Sequence, residues 1–168
     1  KKIYTFPKPV IAAVGGIALG GGFNIVTVCD LIIASESAIF CHPELKFGFS
    51  PLFYPLSQIV GVNKAKEITM LGEPIGAREA ERIGLVNKVA PPEKFMQEAE
   101  KVAQTLSMRS AKVIEELKNI CAVVPRMDKI AALDMELSIS GMLFARDERK
   151  IHMNEELFLK KLRKKKQN

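Results

Sequence analysis

The chain has 168 residues, of which 48% are hydrophobic and 26% charged; this excludes a disordered chain and allows a sizeable buried core. Its net charge of +6 comes from one end: six of the 25 Lys and Arg lie between Lys160 and Asn168, where there is no acid, and the other 19 balance the 19 Asp and Glu. A neutral body with a basic tail disfavours a nucleic-acid-binding surface, because a terminal Lys run reads first as a solvated end.

Val10 to Val14 is a short continuous apolar run, predicting a buried parallel strand that ends at Gly15-Gly16. Ile17-Ala18-Leu19 leads into Gly20-Gly21-Gly22, and Phe23 to Cys29 continues as a buried helix. Leu31 to Ala34 and Ala38 to Phe40 are two further strands, the second closed by a turn at His42-Pro43. Strand, glycine-rich turn, helix and strand make a βαβ rhythm, so the fold class is α/β.

Helical patterning follows. Phe53 to Val60, Lys64 to Leu71 and Ala77 to Ile83 are short helices, with Gly84 at the C-cap of the third, and Leu85 to Val89 is a short strand. Further helices are expected from Pro91-Pro92 to Leu106, from Ala111 to Cys121, from Pro125 to Phe144 and from Leu157 to Lys166. No internal repeat occurs.

Cys29, Cys41 and Cys121 are an odd number at wide spacing, which fits a reduced intracellular setting rather than a disulfide framework. Cytoplasmic location is expected, with mitochondria or peroxisomes as the eukaryotic equivalents. Lys1 to Pro7 does not read as a signal peptide, and no apolar run reaches the ~18 residues of a membrane span. With only His42 and His152, a His-rich metal site is not expected.

Between Pro9 and Asn63 the only charges are Asp30, Glu36, Glu44 and Lys46, against 37 from Lys64 onward, so the first third reads as core. Those four charges need a reason. Glu44 sits in the polar island Cys41-His42-Pro43-Glu44 between apolar stretches. It is either a proton-transfer carboxylate or a loop acid after Pro43. Gly20-Gly21-Gly22 is likewise either a tightly packed turn or a set of backbone N–H groups for an anion or oxyanion. Neither of the usual nucleotide-binding glycine patterns fits.

Three motifs in order carry a resemblance. Lys8 to Gly22 (KPVIAAVGGIALGGG), Cys29-Asp30, and Ala38 to Glu44 (AIFCHPE) are similar to the enoyl-CoA hydratase/isomerase (crotonase) family, as is Pro74 to Val89 (PIGAREAERIGLVNKV). The likeness covers roughly residues 8 to 145. It implies the C-terminal half of a ClpP/crotonase spiral βαβ core over residues 1–90. Residues 91–168 would then form a helical lid and trimerisation region with the basic tail. It also implies an acyl-CoA thioester substrate, no bound cofactor or metal, and a homotrimer or hexamer.

In the resemblance, Gly21 supplies one backbone N–H to the thioester oxygen and Glu44 moves protons on the acyl chain. Gly20, Gly22 and His42 line the substrate, and Lys160 and Lys161 meet CoA phosphates. Asn24 stands where a two-carboxylate hydratase has its other Glu. Asn orients a water or substrate but transfers no proton. A one-carboxylate shift of a double bond from position 3 to 2 is therefore favoured over hydration. Phe47 to Phe53 also lacks the family's glycine-rich turn, and Leu52 stands where some isomerases place an acid after Ser-Pro.

The family's members are longer. The chain opens at Lys1, where their second half begins, so an N-terminal half or partner chain is expected to supply the other oxyanion donor. The alternative is a non-catalytic module that keeps the fold and has lost the chemistry.

Overall fold

A computed structural model of the chain describes residues 1–143 and 158–159. These fall into two compact units, Lys1–Ala111 and Lys112–Asn168. The first unit carries six strands: β1 (Ile11–Val14), β2 (Ile17–Leu19), β3 (Leu31–Ser35), β4 (Ile39–Cys41), β5 (Ile75–Gly76) and β6 (Lys88–Ala90). Its helices are α1 (Gly21–Thr27), α2 (Phe53–Val60), α3 (Val62–Leu71), α4 (Ala77–Arg82) and α5 (Phe95–Ser107), with a 3-10 turn over Glu44–Phe47.

The strands form two three-stranded sheets, β1-β3-β6, all parallel, and β2-β4-β5, in which β2 and β4 are parallel and β5 antiparallel. The chain turns a corner from one sheet to the other at Gly15-Gly16 and again at 36–38. The Ile39 N–H donates to Gly16 O at 3.2 Å and the Ser37 hydroxyl to Gly15 O at 3.3 Å. Hydrogen bonding therefore runs around the corner, and β1-β2 and β3-β4 are successive coils of one spiral. This is the expected α/β core. Ile17 to Leu19, which periodicity left unassigned, is the second arm of the first coil.

Phe23, Val26, Ile32, Ala34, Phe40, Leu56, Leu85 and Val86 are buried in one cluster between the sheets and helices. The low-charge first third is not uniformly interior, however. Ile17 is 72% exposed and Phe47 71%, and Leu19, Ile25 and Phe49 are exposed as well.

Three of the four charges of that segment brace the coils. Asp30 Oδ2 accepts the Val10 N–H at 2.7 Å, which fixes the entry to β1. Glu36, at the second corner, pairs with Arg78, whose other partner Glu81 accepts the Val89 N–H at 2.9 Å. Lys46 pairs with Glu73 at 2.8 Å. The motif from Pro74 to Val89 thus ties the corner to β6.

Asn87 does similar work by a different route: its Oδ1 accepts from Ile32 N at 2.7 Å while its own N–H donates to Ile32 O at 2.9 Å. Asn87→Ala leaves the Ile32 N–H without that acceptor and should lower unfolding free energy by about 1–2 kcal/mol in urea titration. A loss below the resolution of the titration would show that water replaces the side chain.

Several boundaries differ from the sequence expectation for local reasons. Leu85 and Val86 are buried in a turn rather than a strand, because both of their N–H groups donate to Ala80 O. The helix placed at Pro91-Pro92 starts at Phe95, after a turn in which the Lys94 and Phe95 N–H groups donate to Pro91 O. α5 packs on β1, β3 and β6. It is joined to β6 by Glu98, which accepts from Lys101 at 2.6 Å and also from Lys88.

These two cations hold the Glu98 carboxyl down to about 2 from its ordinary 4.5. A folded value below the unfolded one means the contribution is complete above about pH 4.5 and is lost as pH falls toward 2. Glu98→Gln should therefore flatten that part of the Tm-against-pH curve. An acid limb identical to wild type would refute the coupling.

The second unit holds α6 (Ala111–Val123), a 3-10 turn over Val124–Arg126, and a helix α7 over 129–143. Pro125 lies in the turn, and α7 opens four residues later. Asp128 Oδ1 accepts the Ile130 and Ala131 N–H groups at 3.0 Å each, making Asp128 the N-cap. Phe144, most of the expected Leu157–Lys166 helix, Lys160 and Lys161 lie outside the described residues.

Candidate active site

The glycine turn and Glu44 come together. β2 ends at Leu19, and the next N–H, that of Gly20, donates to Cys41 O at 3.0 Å and so continues the β2–β4 ladder. Gly20 then takes φ 49 and ψ −114, a backbone state that only glycine adopts freely, and α1 begins at Gly21. A first helical turn leaves its N–H groups without partners inside the helix. The Gly20 donor is consumed and the Asn24 N–H donates to Gly20 O at 2.9 Å, so those of Gly21, Gly22 and Phe23 remain. Both glycines are exposed, and a Cβ on either would meet nothing within 4 Å.

The Glu44 carboxylate lies over this turn. A Cβ on Gly20 would stand 3.3 Å from Glu44 Oε1. Glu44 opens its 3-10 turn, and its carbonyl accepts the Phe49 N–H at 2.9 Å, which holds the backbone in place. Its side chain is 16% exposed, so the acid is neither a free loop residue nor sealed off. It can reach both an apolar ligand and water.

His42 is fully buried. Its Nδ1 lies 3.2 Å from each Glu44 oxygen, and its ring stands 4.5 Å from that of Phe23, tilted by 32°. The neighbouring Cys41 Sγ donates to Gly72 O at 3.4 Å, and burial pushes this thiol up, away from a nucleophilic thiolate. Gly72 holds φ 61, and a Cβ there would lie 3.0 Å from His42 O. The end of α3 therefore presses directly on the His42–Pro43 backbone.

Asn24 sits on the first turn of α1, with Oδ1 buried and without a hydrogen-bond partner among the described residues. Phe23 was not singled out in the sequence, where it reads as one more core aromatic. Its contact with His42 across the β4 turn is a tertiary fact.

The structure thus joins Gly20, Gly21, Glu44 and His42 in one place, with Asn24 on the same turn. What this arrangement offers is a helix start with unpaired N–H donors on exposed glycines, a partly shielded carboxylate beside it and one orienting amide. Among the described residues no group of three or more His, Cys, Asp or Glu is placed to hold a metal, and no helix is long and apolar enough to cross a membrane. A cleft of about 270 Å³ lined by Ile68, Leu71, Ile75 and Ile83 lies elsewhere, between α3, β5 and α4, and contains none of these groups.

Comparison with known proteins identifies the family. The family model described as enoyl-CoA hydratase/isomerase matches residues 1–167. A short-chain enoyl-CoA hydratase of Clostridium acetobutylicum is 37% identical over 153 residues, covering 89% of this chain and 59% of that protein. The crystal structure of an enoyl-CoA hydratase/isomerase from Cupriavidus metallidurans superposes with a TM-score of 0.82 at 30% identity, covering 88% of this chain and 57% of that one. A Thermobifida fusca structure in complex with acetoacetyl-CoA gives 0.77 at 28% identity, with 81% and 55% covered.

The chain spans about half the length of most curated relatives it matches. Its coiled α/β core, its paired glycine turn and carboxylate, and a family match along nearly its whole length place it in the enoyl-CoA hydratase/isomerase family.

Proposed function

We propose that the chain carries the proton-transfer half of an acyl-CoA enzyme that stabilises a thioester enolate, and that its reaction is the shift of a double bond from position 3 to position 2 of an enoyl-CoA. The observation that carries this reading is the Glu44 carboxylate held beside the Gly20–Gly21 turn. In the reaction Glu44 takes a proton from C2 of the 3-enoyl thioester. The electron pair moves onto the thioester oxygen, where the Gly21 N–H and a second donor receive it. Return of the proton from Glu44 to C4 re-forms the carbonyl and leaves the double bond between C2 and C3.

One carboxylate suffices for this transfer. Hydration is the second reading, and it is favoured by the name of the Clostridium acetobutylicum relative. Its difficulty is Asn24, which can hold a water but not deprotonate it. Acyl-CoA as the ligand is supported by the acetoacetyl-CoA bound to the Thermobifida fusca neighbour.

We also propose that the second oxyanion donor comes from a further coil, on an N-terminal segment or a partner chain. β1 and β2 are edge strands of their sheets, and Ile17 and Leu19 on β2 are exposed, so a third coil has open hydrogen-bonding edges and apolar side chains to cover. Assembly into a homotrimer or hexamer draws support from α7, where Ile130, Leu133 and Leu137 are exposed at helical spacing.

The test supplies 3-hexenoyl-CoA and crotonyl-CoA to the chain alone and to the chain joined to the N-terminal two-fifths of the Clostridium acetobutylicum relative. Isomerisation of the 3-enoyl substrate by the joined protein is the expected result. Rapid hydration of crotonyl-CoA would replace the isomerase reading by the hydratase one. Turnover of neither by the joined protein would leave the non-catalytic module.

A further inference from the structure

We propose that His42 is a positioning residue for Glu44: its buried imidazole, packed on Phe23 and carried by a backbone that the end of α3 presses on, clamps the carboxylate in one orientation against the glycine turn. The proposal rests on the acyl-CoA reading above for its catalytic consequence, and on geometry alone for the contact.

The two Nδ1–oxygen distances are equal at 3.2 Å, so one ring nitrogen spans both oxygens rather than favouring either. The ring has little freedom to leave. It is fully buried and packs on the Phe23 ring, and the backbone that carries it is fixed, since the His42 carbonyl lies against Gly72, where even a Cβ would come to 3.0 Å.

The tautomer follows from the other nitrogen. Nε2 is buried with no partner among the described residues. A proton there would be a buried unpaired donor, whereas a proton on Nδ1 meets the carboxylate, so the network assigns the proton to Nδ1. An Nδ1–H donor serves both states of Glu44. It donates to the carboxylate before proton uptake and to the acid's carbonyl oxygen after it.

What the clamp supplies is direction. Glu44 has three rotatable bonds in a partly open site and must meet first C2 and then C4 of one acyl chain. A misplacement of about 1 Å at such a group costs about 10²-fold in rate.

Two variants separate donation from packing in the joined protein. His42→Phe keeps a ring against Phe23 and removes the donor; His42→Gln keeps a donor and removes the ring. For His42→Phe, kcat should fall about 10–100-fold with KM for 3-hexenoyl-CoA within about twofold, and His42→Gln should recover most of the loss. Wild-type kcat in His42→Phe, or equal loss in both variants at unchanged Tm, would overturn the proposal.

A readout independent of turnover is the ¹⁵N–¹H spectrum of the imidazole, recorded in a His152→Gln background so that one ring is observed. Nδ1 should carry a slowly exchanging proton that Glu44→Ala abolishes. A wild-type ring protonated on Nε2 alone would overturn the contact. A wild type inactive on both enoyl-CoA substrates would overturn the acyl-CoA reading and the catalytic consequence with it, while the spectrum still decides the clamp.

Discussion

Glu44→Gln in the joined protein is expected to lower kcat for double-bond isomerisation by about 10²–10⁴-fold, the range that a positioned proton-transfer group contributes. The amide matches the carboxylate in size, keeps a carbonyl oxygen for the His42 Nδ1–H and stays beside Gly20, so neither fold nor site shape should change. What it loses is the capacity to accept a proton and return it. KM for 3-hexenoyl-CoA should stay within a few-fold, since the proposed role of Glu44 is at the acyl chain and not at the CoA nucleotide. The drop therefore belongs to kcat. Stopped assays of the CoA product mixture read it directly. A variant that isomerises at the wild-type rate would remove Glu44 from the chemistry and return the 41–48 loop to a structural role.

The parts of this site that were legible in the sequence are those in which one residue type answers one local demand. The Gly20-Gly21-Gly22 run announces a tight turn, of which only Gly20 takes a positive φ, and Glu44 announces a charge in an apolar setting. The strand–turn–helix order of Val10 to Thr27 could be read from its apolar run and glycine breaks, although the buried strand expected there is only partly buried, with Val14 inside and Ala13 exposed. β2 escaped notice because three residues, two of them exposed, carry no period. β5 escaped because two residues carry none. The contacts that turn these pieces into a site are long-range: Phe23 on His42, Gly72 on the His42 carbonyl and Arg78 on Glu36 each join residues from different elements. Spacing along the chain holds no record of them. The exposed Ile17 and Leu19 are a further case, since composition placed them in a core and the structure places them at the surface.

Gly21→Pro is expected to cost about 10²–10³-fold in kcat, the usual effect of deleting one oxyanion donor. Proline is a severe change in most helices, but Gly21 is the first residue of α1 after the Gly20 N-cap. At that position the N–H has no intrahelical acceptor, and the fixed φ of proline suits the helix. The substitution thus removes one N–H and leaves the α1 ladder intact, so Tm should change little. Gly21→Ala is the paired control: it keeps the N–H, and its Cβ meets no protein atom within 4 Å. If the turn stabilises a developing oxyanion, the proline variant alone loses kcat, while both variants fold. Equal losses in the two would mean that the added side chain blocks the acyl group. An active proline variant would mean that the thioester oxygen is held by other donors and that the triple-glycine turn serves only to pass the chain from β2 into α1.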